Sequence, residues 1–536
     1  MVLTGKRPAL SPLWLVVVTV FGLILSGALP AGAQVTAFKQ SVAESAARDA
    51  ALSQFYRERN YEPLWTGSKD STRRREFLRA LEGAGTHGLP VSRYDADELE
   101  AMFQSARSPR DRGRVEVEAS RMFLAYAQDI QTGILTPGQI IEDIKRVPAR
   151  RNRLAQIEAF AQSSPRAYLK ALLPTSTEYN ALLAEKLRLE RVLGQGGWGA
   201  EVPGKKIEPG DSGAPVVALR NRLIAMGYLK RIPDQTYTAD IQKAVQAFQI
   251  DHGLESDGVA GAATLTEINL PVTVRLQQII VAMERERWMT PDRGKRHIIV
   301  NITDFHAKII ENGRVVFQTR SVVGANSKDR RTPEFSDFME HMILNPTWNV
   351  PRSIATKEYL PMLKENPNAA GHLRITDASG RAVNREEVDF NQFTPANFPF
   401  DMKQPPSNSN ALGLVKFMFP NRYNIYLHDT PAKSLFGRES RAFSHGCVRL
   451  NDPFDFAYAL LSKQESDPVG YFKSVLATGK ETQVDLKQHV PVHIIYRTAL
   501  TDAKGRIQFR RDVYGRDALI FDALAKAGVA LRSVQG

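Results

Sequence analysis

The spacing of apolar residues changes along the chain, and this change most limits what the chain can fold into. Between about residues 35 and 193, apolar residues recur every three or four positions, the period of helices that bury one face. One such face comprises Val115, Ala119, Met122, Phe123, Tyr126 and Ile130. After Pro271 the pattern becomes that of short β-strands, predicted at residues 297–302, 307–310, 315–319, 342–344, 413–419 and 423–427. Glu311-Asn312-Gly313 is a hairpin turn signal between two of them.

A segment rich in glycine and proline, residues 194–210, separates these two parts and has the composition of a linker. Two short amphipathic helices follow, predicted at residues 217–226 and 239–252, and a turn at Asp257-Gly258 leads into a third. The 536 residues are too many for one compact core. We therefore predict a multidomain α+β chain with a helical domain, a small three-helix module and a mostly β domain.

The first 33 residues have the pattern of a secretory signal. Lys6 and Arg7 precede an apolar run at residues 13–25, and small residues end at Ala33. A membrane span needs about 20 apolar residues, so we predict cleavage after Ala33 and no stable span afterwards. An uncleaved anchor is the alternative. Either reading places the protein in the periplasm or cell envelope.

The chain is basic, with a formal net charge of +13 that falls to +11 when Lys6 and Arg7 are removed. Export makes nucleic acid an improbable partner despite this charge. A basic surface would favour a polyanionic matrix such as a bacterial wall rich in peptide carboxylates. The charge could equally serve solubility alone.

Cys447 is the only cysteine, so the chain has no internal disulfide. Such a thiol in an exported protein is an intermolecular bridge, an inert buried group or a reactive one. Its neighbours favour the last, because a thiol becomes a nucleophile when a base or cation lies nearby. His445, His428 and Arg449 could each supply that help.

The spacing of these residues resembles that of the L,D-transpeptidase (YkuD-type) catalytic domain. That family has a histidine, about 15 residues, and then Ser/Thr-His-Gly-Cys; here 15 residues separate His428 from Ser444-His445-Gly446-Cys447. Residues 345–351, 410–413 and 419–421 resemble a large subgroup with a helical scaffold, a wall-binding module and a capping insertion. The module is similar to three-helix peptidoglycan-binding domains, through Gly227-Tyr228-Leu229 and Asp257-Gly258-x-x-Gly261-x-x-Thr264.

The resemblance, with the composition changes, predicts a domain order. It is a signal peptide (1–33), a helical scaffold domain (34–193), a linker (194–210), a peptidoglycan-binding-like module (211–270), a connecting helix (271–296), the catalytic domain (297–478) with its capping insertion (about 352–410), and a C-terminal extension (479–536). The insertion is too long for an ordinary loop, which favours a lid.

The resemblance implies an acyltransferase with Cys447 as nucleophile and no cofactor or metal. Cys447 would attack the carbonyl between the L-centre of a diamino acid and the terminal D-alanine of a tetrapeptide stem. His428 would act as general base and then acid. An amine from a second stem would resolve the thioester into a 3-3 cross-link. Water as acceptor would make the protein an L,D-carboxypeptidase, and an envelope protein as acceptor would attach that protein to the wall.

Supporting roles follow for residues near this pair. Backbone N–H groups at Gly446 and Cys447, in the turn that begins at Ser444, could stabilise the oxyanion. His445 could act as base or only shape that turn. Two alternatives stay open for each of three further residues. Asp429 orients His428, or a backbone carbonyl does so; Arg449 binds a substrate carboxylate, or it forms a structural ion pair. Trp348 belongs either to the lid or to a core. Many family members have asparagine at the position of Arg449, which puts substrate contacts in doubt.

Two rival functions come from other classes. A zinc-dependent wall hydrolase could use His428, Asp429, His445 and Cys447 as ligands, but neither an HExxH motif nor paired CxxC spacing is present. A non-catalytic wall-binding protein should have lost His428 or Cys447, and this chain keeps both.

Overall fold

The computed structural model describes residues 36–289 and 292–533. The predicted signal peptide lies outside the described residues. Within these two ranges, no helix combines the length and the apolar character needed to cross a membrane.

The N-terminal part consists of helices around an aromatic core. Their bounds are α1 Ala37–Ala46, α2 Ala50–Glu58, α3 Ser71–Glu82, α4 Ala96–Ser105, α5 Pro109–Thr132, α6 Pro137–Ile140, α7 Arg153–Gln162, α8 Pro165–Ala171 and α9 Thr177–Gly194. The long helix α5 begins where the Ser108 side chain accepts a hydrogen bond from the Asp111 N–H, with Pro109 at its first position. The predicted face of α5 is buried, except that Met122 is only partly buried.

The small module contains the three predicted helices, α10 Ala214–Met226, α11 Ala239–Asp251 and α12 Ala262–Ile268. Gly227 ends α10 with a φ of 87°, a left-handed conformation that glycine adopts at low cost. Val216, Ile241 and Phe248 belong to the module's own apolar core. A further helix, α13 Val272–Arg287, then leads to the sheet and is almost entirely buried.

A nine-stranded sheet forms the C-terminal part. The strands within the described residues are β1 Arg296–Asn301, β2 His306–Glu311, β3 Arg314–Gly324, β4 Phe335–Leu344, β5 Trp348–Asn349, β6 Arg374–Thr376, β7 Asp401–Gln404, β8 Val415–Met418, β9 Leu427–His428, β10 Ala442–Ser444, β11 Val448–Leu450, β12 Thr482–Ile495, β13 Ala499–Thr501 and β14 Ile507–Phe509. The order in the large sheet is β10-β3-β11-β9-β8-β4-β12-β1-β2, and β2 also pairs with β3. That second pairing closes eight strands into a ring around one apolar core, with β10 outside it.

Local turn chemistry explains one correct strand prediction and one wrong one. The β2–β3 hairpin turns at Asn312 and Gly313, both with positive φ, as the sequence predicts. The strand predicted at residues 423–427 is wrong except for Leu427, where β9 begins. Asn424 has a φ of 54°, and the Asn421 side chain bonds four backbone groups of this segment, so a turn replaces the strand.

The insertion between β5 and β8 folds around its own core. It contains α14 Arg352–Ile354, a π-helical turn at Ala355–Tyr359, α15 Leu360–Glu365 and a small sheet in the order β5-β7-β6. Trp348, Leu363 and Phe398 are among its buried residues. The proline-rich segment is therefore a packed unit beside the large sheet.

The segment after residue 479 contributes directly to the large sheet. Strand β12 lies between β1, to which it is parallel, and β4, to which it is antiparallel. The remaining helices are α16 Pro453–Leu461, α17 Pro468–Leu476 and α18 Arg516–Lys526. The predicted start of a C-terminal extension at residue 479 stays a prediction; β12, which lies entirely after it, is a central strand of the large sheet. The predicted multidomain α+β class is confirmed.

Candidate active site

Two neighbouring parallel strands bring Cys447 close to His428. Strands β9 and β11 pair in parallel, with Arg449 opposite His428. Leu427 and Val448 belong to the apolar core of the ring. Because side chains alternate between the two faces of a strand, His428, Cys447 and Arg449 lie together on the opposite face.

A backbone carbonyl, rather than a carboxylate, orients His428. Its ring is buried, and Nδ1 forms a hydrogen bond with the carbonyl oxygen of Asp429. The neutral ring then carries its proton on Nδ1 and keeps a lone pair on Nε2. The Asp429 carboxylate is engaged elsewhere, since it accepts from the Leu414 N–H at 3.0 Å and from Lys433 Nζ at 2.8 Å.

Burial keeps both members of the pair uncharged at neutral pH. It lowers the pKa of His428 to about 3, and the nearby Arg449 cation acts in the same direction. It raises the pKa of the Cys447 thiol to about 11, against opposing contributions from Tyr426 and Arg449. The site thus holds a thiol and a neutral imidazole; for Cys447 to act as a nucleophile, a base would have to remove the thiol proton as the new bond forms.

The turn from Ser444 to Cys447 is fixed by its own hydrogen bonds. The Ser444 hydroxyl donates to the Cys447 carbonyl and accepts from the Gly446 N–H at 3.1 Å. Gly446 has a φ of +116°, which favours glycine. The Gly446 N–H is therefore engaged within the turn, although the sequence prediction treats it as an oxyanion donor.

Thr332 holds the next peptide group of this turn. Its buried hydroxyl donates to the Gly446 carbonyl at 2.7 Å and accepts from the Gly324 N–H at 2.9 Å. In a trans peptide the N–H points away from the C=O, so the Cys447 N–H is directed away from Thr332. In the described part of the chain no backbone group accepts a hydrogen bond from that N–H. It is the better candidate for an oxyanion donor.

Sequence reasoning missed Thr332, because 114 residues separate it from Cys447 and no local motif marks it. Long-range contacts hold it in place. The Tyr514 hydroxyl donates to the Gly324 carbonyl, and Arg516 donates to the Thr332 carbonyl at 3.0 Å. Arg516 also forms a buried ion pair with Glu334, so α18 supports the catalytic turn.

Replacing Thr332 with valine is expected to lower the acylation rate of Cys447 by roughly 10- to 100-fold, somewhat less than the loss of an oxyanion donor itself. Valine keeps the shape but leaves the Gly446 carbonyl and Gly324 N–H unsatisfied. Stopped-flow acylation with a carbapenem measures the effect. Thr332→Ser keeps the hydroxyl and should stay near the wild-type rate; a valine variant as fast as wild type would contradict the positioning role.

Three parts of the chain match known protein families. A family described as "L,D-transpeptidase catalytic domain" matches residues 295–477, which include His428 and Cys447. Residues 295–477 are an L,D-transpeptidase catalytic domain. Families described as "Scaffold domain" and "Putative peptidoglycan binding domain" match residues 50–185 and 212–268.

Individual relatives of the transpeptidase domain are similar over part of the chain. A curated Haemophilus influenzae protein named "Putative L,D-transpeptidase" is 33% identical over 242 residues, which cover 45% of this chain and 48% of that protein. The chain thus spans about half the length of this relative. Solved L,D-transpeptidases from Xylanimonas cellulosilytica and Stackebrandtia nassauensis are 16% and 13% identical. Each alignment covers 55% of this chain, and the two cover 98% and 97% of the respective solved chains. The TM-scores, 0.18 and 0.21, are too low to establish a common fold.

The insertion of the transpeptidase domain contacts the catalytic turn through Glu358. The carboxylate of Glu358 lies 2.5 Å from His445 Nε2 and 2.7 Å from an Arg330 guanidinium nitrogen. Lys357 next to it pairs with Asp329 at 2.8 Å. His445 is therefore directed to the insertion. Glu358, like Thr332, has no signal in the local sequence.

A cavity of about 520 Å³ separates the insertion from the transpeptidase sheet. Arg449 and His445 line one side, and Trp348 lines the other. Arg449 forms no ion pair with any described residue, and its Nε is buried without a hydrogen-bond partner. Its guanidinium is thus available to a ligand. Trp348 is 8% exposed, so it packs in the core of the insertion and also reaches this cavity.

Three asparagines, Asn345, Asn410 and Asn421, each fix a loop through hydrogen bonds to backbone carbonyls. Asn410 is fully buried and donates to three backbone carbonyls at the base of the insertion. Asn345 has a φ of 50° and donates to the carbonyl of Leu476, which ends α17, and to that of Lys480. Asn421 holds the turn before β9 in the same way.

No group of three His, Cys, Asp or Glu side chains among the described residues could hold a metal ion.

Proposed function

We propose that this chain is an exported cysteine L,D-transpeptidase that forms 3-3 cross-links between peptidoglycan stem peptides. The observation that carries the proposal is the parallel pairing of β9 with β11, because His428 ends β9 and Cys447 directly precedes β11. The hydrogen bond from His428 Nδ1 to a backbone carbonyl supports it further, because it leaves Nε2 as a base. The match to a peptidoglycan-binding family supports the cell wall as substrate.

In the proposed first half-reaction, His428 Nε2 accepts the thiol proton while Cys447 Sγ attacks the carbonyl that precedes the terminal D-alanine of a tetrapeptide stem. The Cys447 N–H donates a hydrogen bond to the tetrahedral oxyanion. The C–N bond then breaks, and the imidazolium returns its proton to the nitrogen of the departing D-alanine. A thioester on Cys447 remains.

In the second half-reaction, the amine of an acceptor stem attacks the thioester carbonyl and forms the 3-3 amide bond. Its surplus proton passes to His428 and then to the leaving Cys447 sulfur, which restores the resting thiol. Arg449, which has no carboxylate partner within the described residues, is suited to bind a stem carboxylate. The insertion forms one side of the cavity that Arg449 and His445 line, so a stem bound there would lie between the insertion and the sheet.

The test is to incubate the purified protein with a disaccharide-tetrapeptide and to analyse both protein and products. Intact-mass analysis is expected to detect an acyl-enzyme, and muropeptide analysis is expected to detect 3-3 dimers with release of D-alanine. Tripeptide monomers alone would indicate carboxypeptidase activity in place of cross-linking. An acyl-enzyme whose acyl group passes only to an envelope protein would indicate protein attachment. If no acyl-enzyme forms, the proposed function is wrong.

A further inference from the structure

A second large cleft lies between the small module and the transpeptidase domain. Its volume is about 690 Å³. Residues 252–255 of the module form one wall, and residues 303–306 and 437–441 of the transpeptidase domain form the other. Residues 510–513 line the junction between them. The proposed mechanism assigns no role to this cleft.

The walls of the cleft are fixed relative to each other. Arg510 donates to the Asp304 carboxylate at 2.6 Å and to the Asp251 carbonyl at 3.2 Å, which joins the sheet to the end of α11. The ring of His252 stacks on Phe509 at a centroid distance of 5.6 Å. The cleft is thus a built feature of the packed domains, and a ligand would meet a site that is already formed.

The cleft carries an excess of cations without carboxylate partners. Two of its five arginines are neutralised, Arg510 by Asp304 and Arg511 by Glu439. The other three have no carboxylate partner among the described residues; they are Arg320, Arg438 and Arg441.

Arg441 and Arg320 lie close enough to affect each other. Arg441 is buried and donates to the carbonyls of Ser321 and Phe305. Burial lowers the pKa of Arg441 to about 10, and the nearby Arg320 cation acts in the same direction, whereas the Asp304 carboxylate opposes both. Of the cleft's other acidic groups, Asp512 accepts from the Tyr496 hydroxyl, and Glu255 is exposed. A bound anion would relieve the repulsion between the two guanidinium groups.

The cleft is within reach of the nucleophile. Arg441 directly precedes β10, and Cys447 follows six residues later. Six residues span at most about 20 Å, and an extended tetrapeptide spans about 14 Å. A peptidoglycan strand could therefore place one stem in the cleft and a neighbouring stem at Cys447.

We propose that this cleft binds the carboxylates of a peptidoglycan stem peptide, through Arg320 and Arg438, while another stem occupies the catalytic cavity. The inference rests on the proposed function and adds a second subsite to it. The cleft holds the wall strand beside the catalytic turn, and the small module forms one of its walls.

The experiment measures binding of soluble glycan fragments carrying several tetrapeptide stems to the full chain with Cys447→Ala, which prevents turnover. Adding Arg320→Gln and Arg438→Gln is expected to weaken binding roughly tenfold or more, because charge-assisted hydrogen bonds to carboxylates are lost. The matched control, Arg107→Gln with Arg166→Gln, removes two exposed arginines of the N-terminal helical part, one between α4 and α5 and one in α8, and should bind as the parent does. Fragments whose carboxylates are converted to amides should bind all three proteins equally weakly.

Equal affinity of the cleft variant and the matched control would overturn the inference, as would tight binding of the amidated fragments. The Cys447-containing protein is tested in parallel with a single free tetrapeptide, which is too short to occupy both sites. If it forms the acyl-enzyme while the cleft variant binds fragments normally, only the cleft proposal fails. If it forms no acyl-enzyme, the proposed function fails instead.

Discussion

Replacing Cys447 with alanine is expected to abolish acylation by a tetrapeptide donor, with a loss of turnover of at least roughly 10⁴-fold. The chain has no second cysteine that could substitute for it. Intact-mass analysis after incubation with donor or with a carbapenem should find the acyl adduct only on the wild-type protein. Because the side chain is half-buried, alanine should leave the fold intact, which circular dichroism and thermal unfolding can verify.

The reactivity of the Cys447 thiol gives an independent check on the same assignment. With a pKa raised to about 11 by burial, the thiolate fraction is small at pH 7 and grows as the pH rises. The alkylation rate with iodoacetamide should therefore increase steadily between pH 7 and 11. An adduct that persists in Cys447→Ala would contradict the nucleophile assignment. An alkylation rate that stops rising with pH below pH 8 would contradict an uncharged Cys447 thiol beside a neutral His428.

Replacing His428 with glutamine is expected to slow acylation roughly 10²- to 10⁴-fold, the contribution of a positioned general base. Glutamine cannot take up the thiol proton, and burial of Cys447 disfavours a thiolate formed in advance. Stopped-flow acylation and steady-state turnover both measure this effect, while affinity for a non-reacting tripeptide should stay near the wild-type value.

His445→Gln is the matched control for the His428 variant, because it removes the other histidine of the same site. Its Nε2 is engaged with Glu358, so we expect less than a tenfold effect on acylation. In the wild type the active form of His428 is neutral, and its pKa is about 3. Activity should thus persist as the pH falls below 6.5 and decline only near the folded pKa. A larger loss in His445→Gln than in His428→Gln would reverse the two roles.

Fold prediction from the sequence succeeded where the signal was local. The three helices of the module follow from apolar spacing and from the glycine after α10, and the β2–β3 turn follows from Asn312-Gly313. The strand predicted at residues 423–427 failed, because the hydrogen bonds of the Asn421 side chain outweigh the β-propensity of tyrosine and isoleucine. Strand β12 was separated from its sheet because its partners, β1 and β4, lie more than a hundred residues earlier.

The candidate site divides in the same way. The pair His428 and Cys447 could be predicted from the sequence, because the 15 residues between His428 and Ser444 match the spacing of a known family's motif. Thr332 and Glu358 were missed, because each reaches the catalytic turn from a distant segment of the chain. No periodicity or spacing in the sequence reports such a contact.

The sequence by itself determined the division into helical and β parts and the resemblance to the L,D-transpeptidase catalytic domain, and it named Cys447 and His428 as the candidate nucleophile and base. These are properties of consecutive residues: backbone preference, apolar period and reactive groups at a fixed spacing. The tertiary structure decided that a backbone carbonyl orients His428, that Arg449 has no ion pair within the described chain, and that Thr332 turns the Cys447 N–H outward. The physical reason is that burial, and hence pKa and hydrogen-bond partnership, depends on which distant segments pack together.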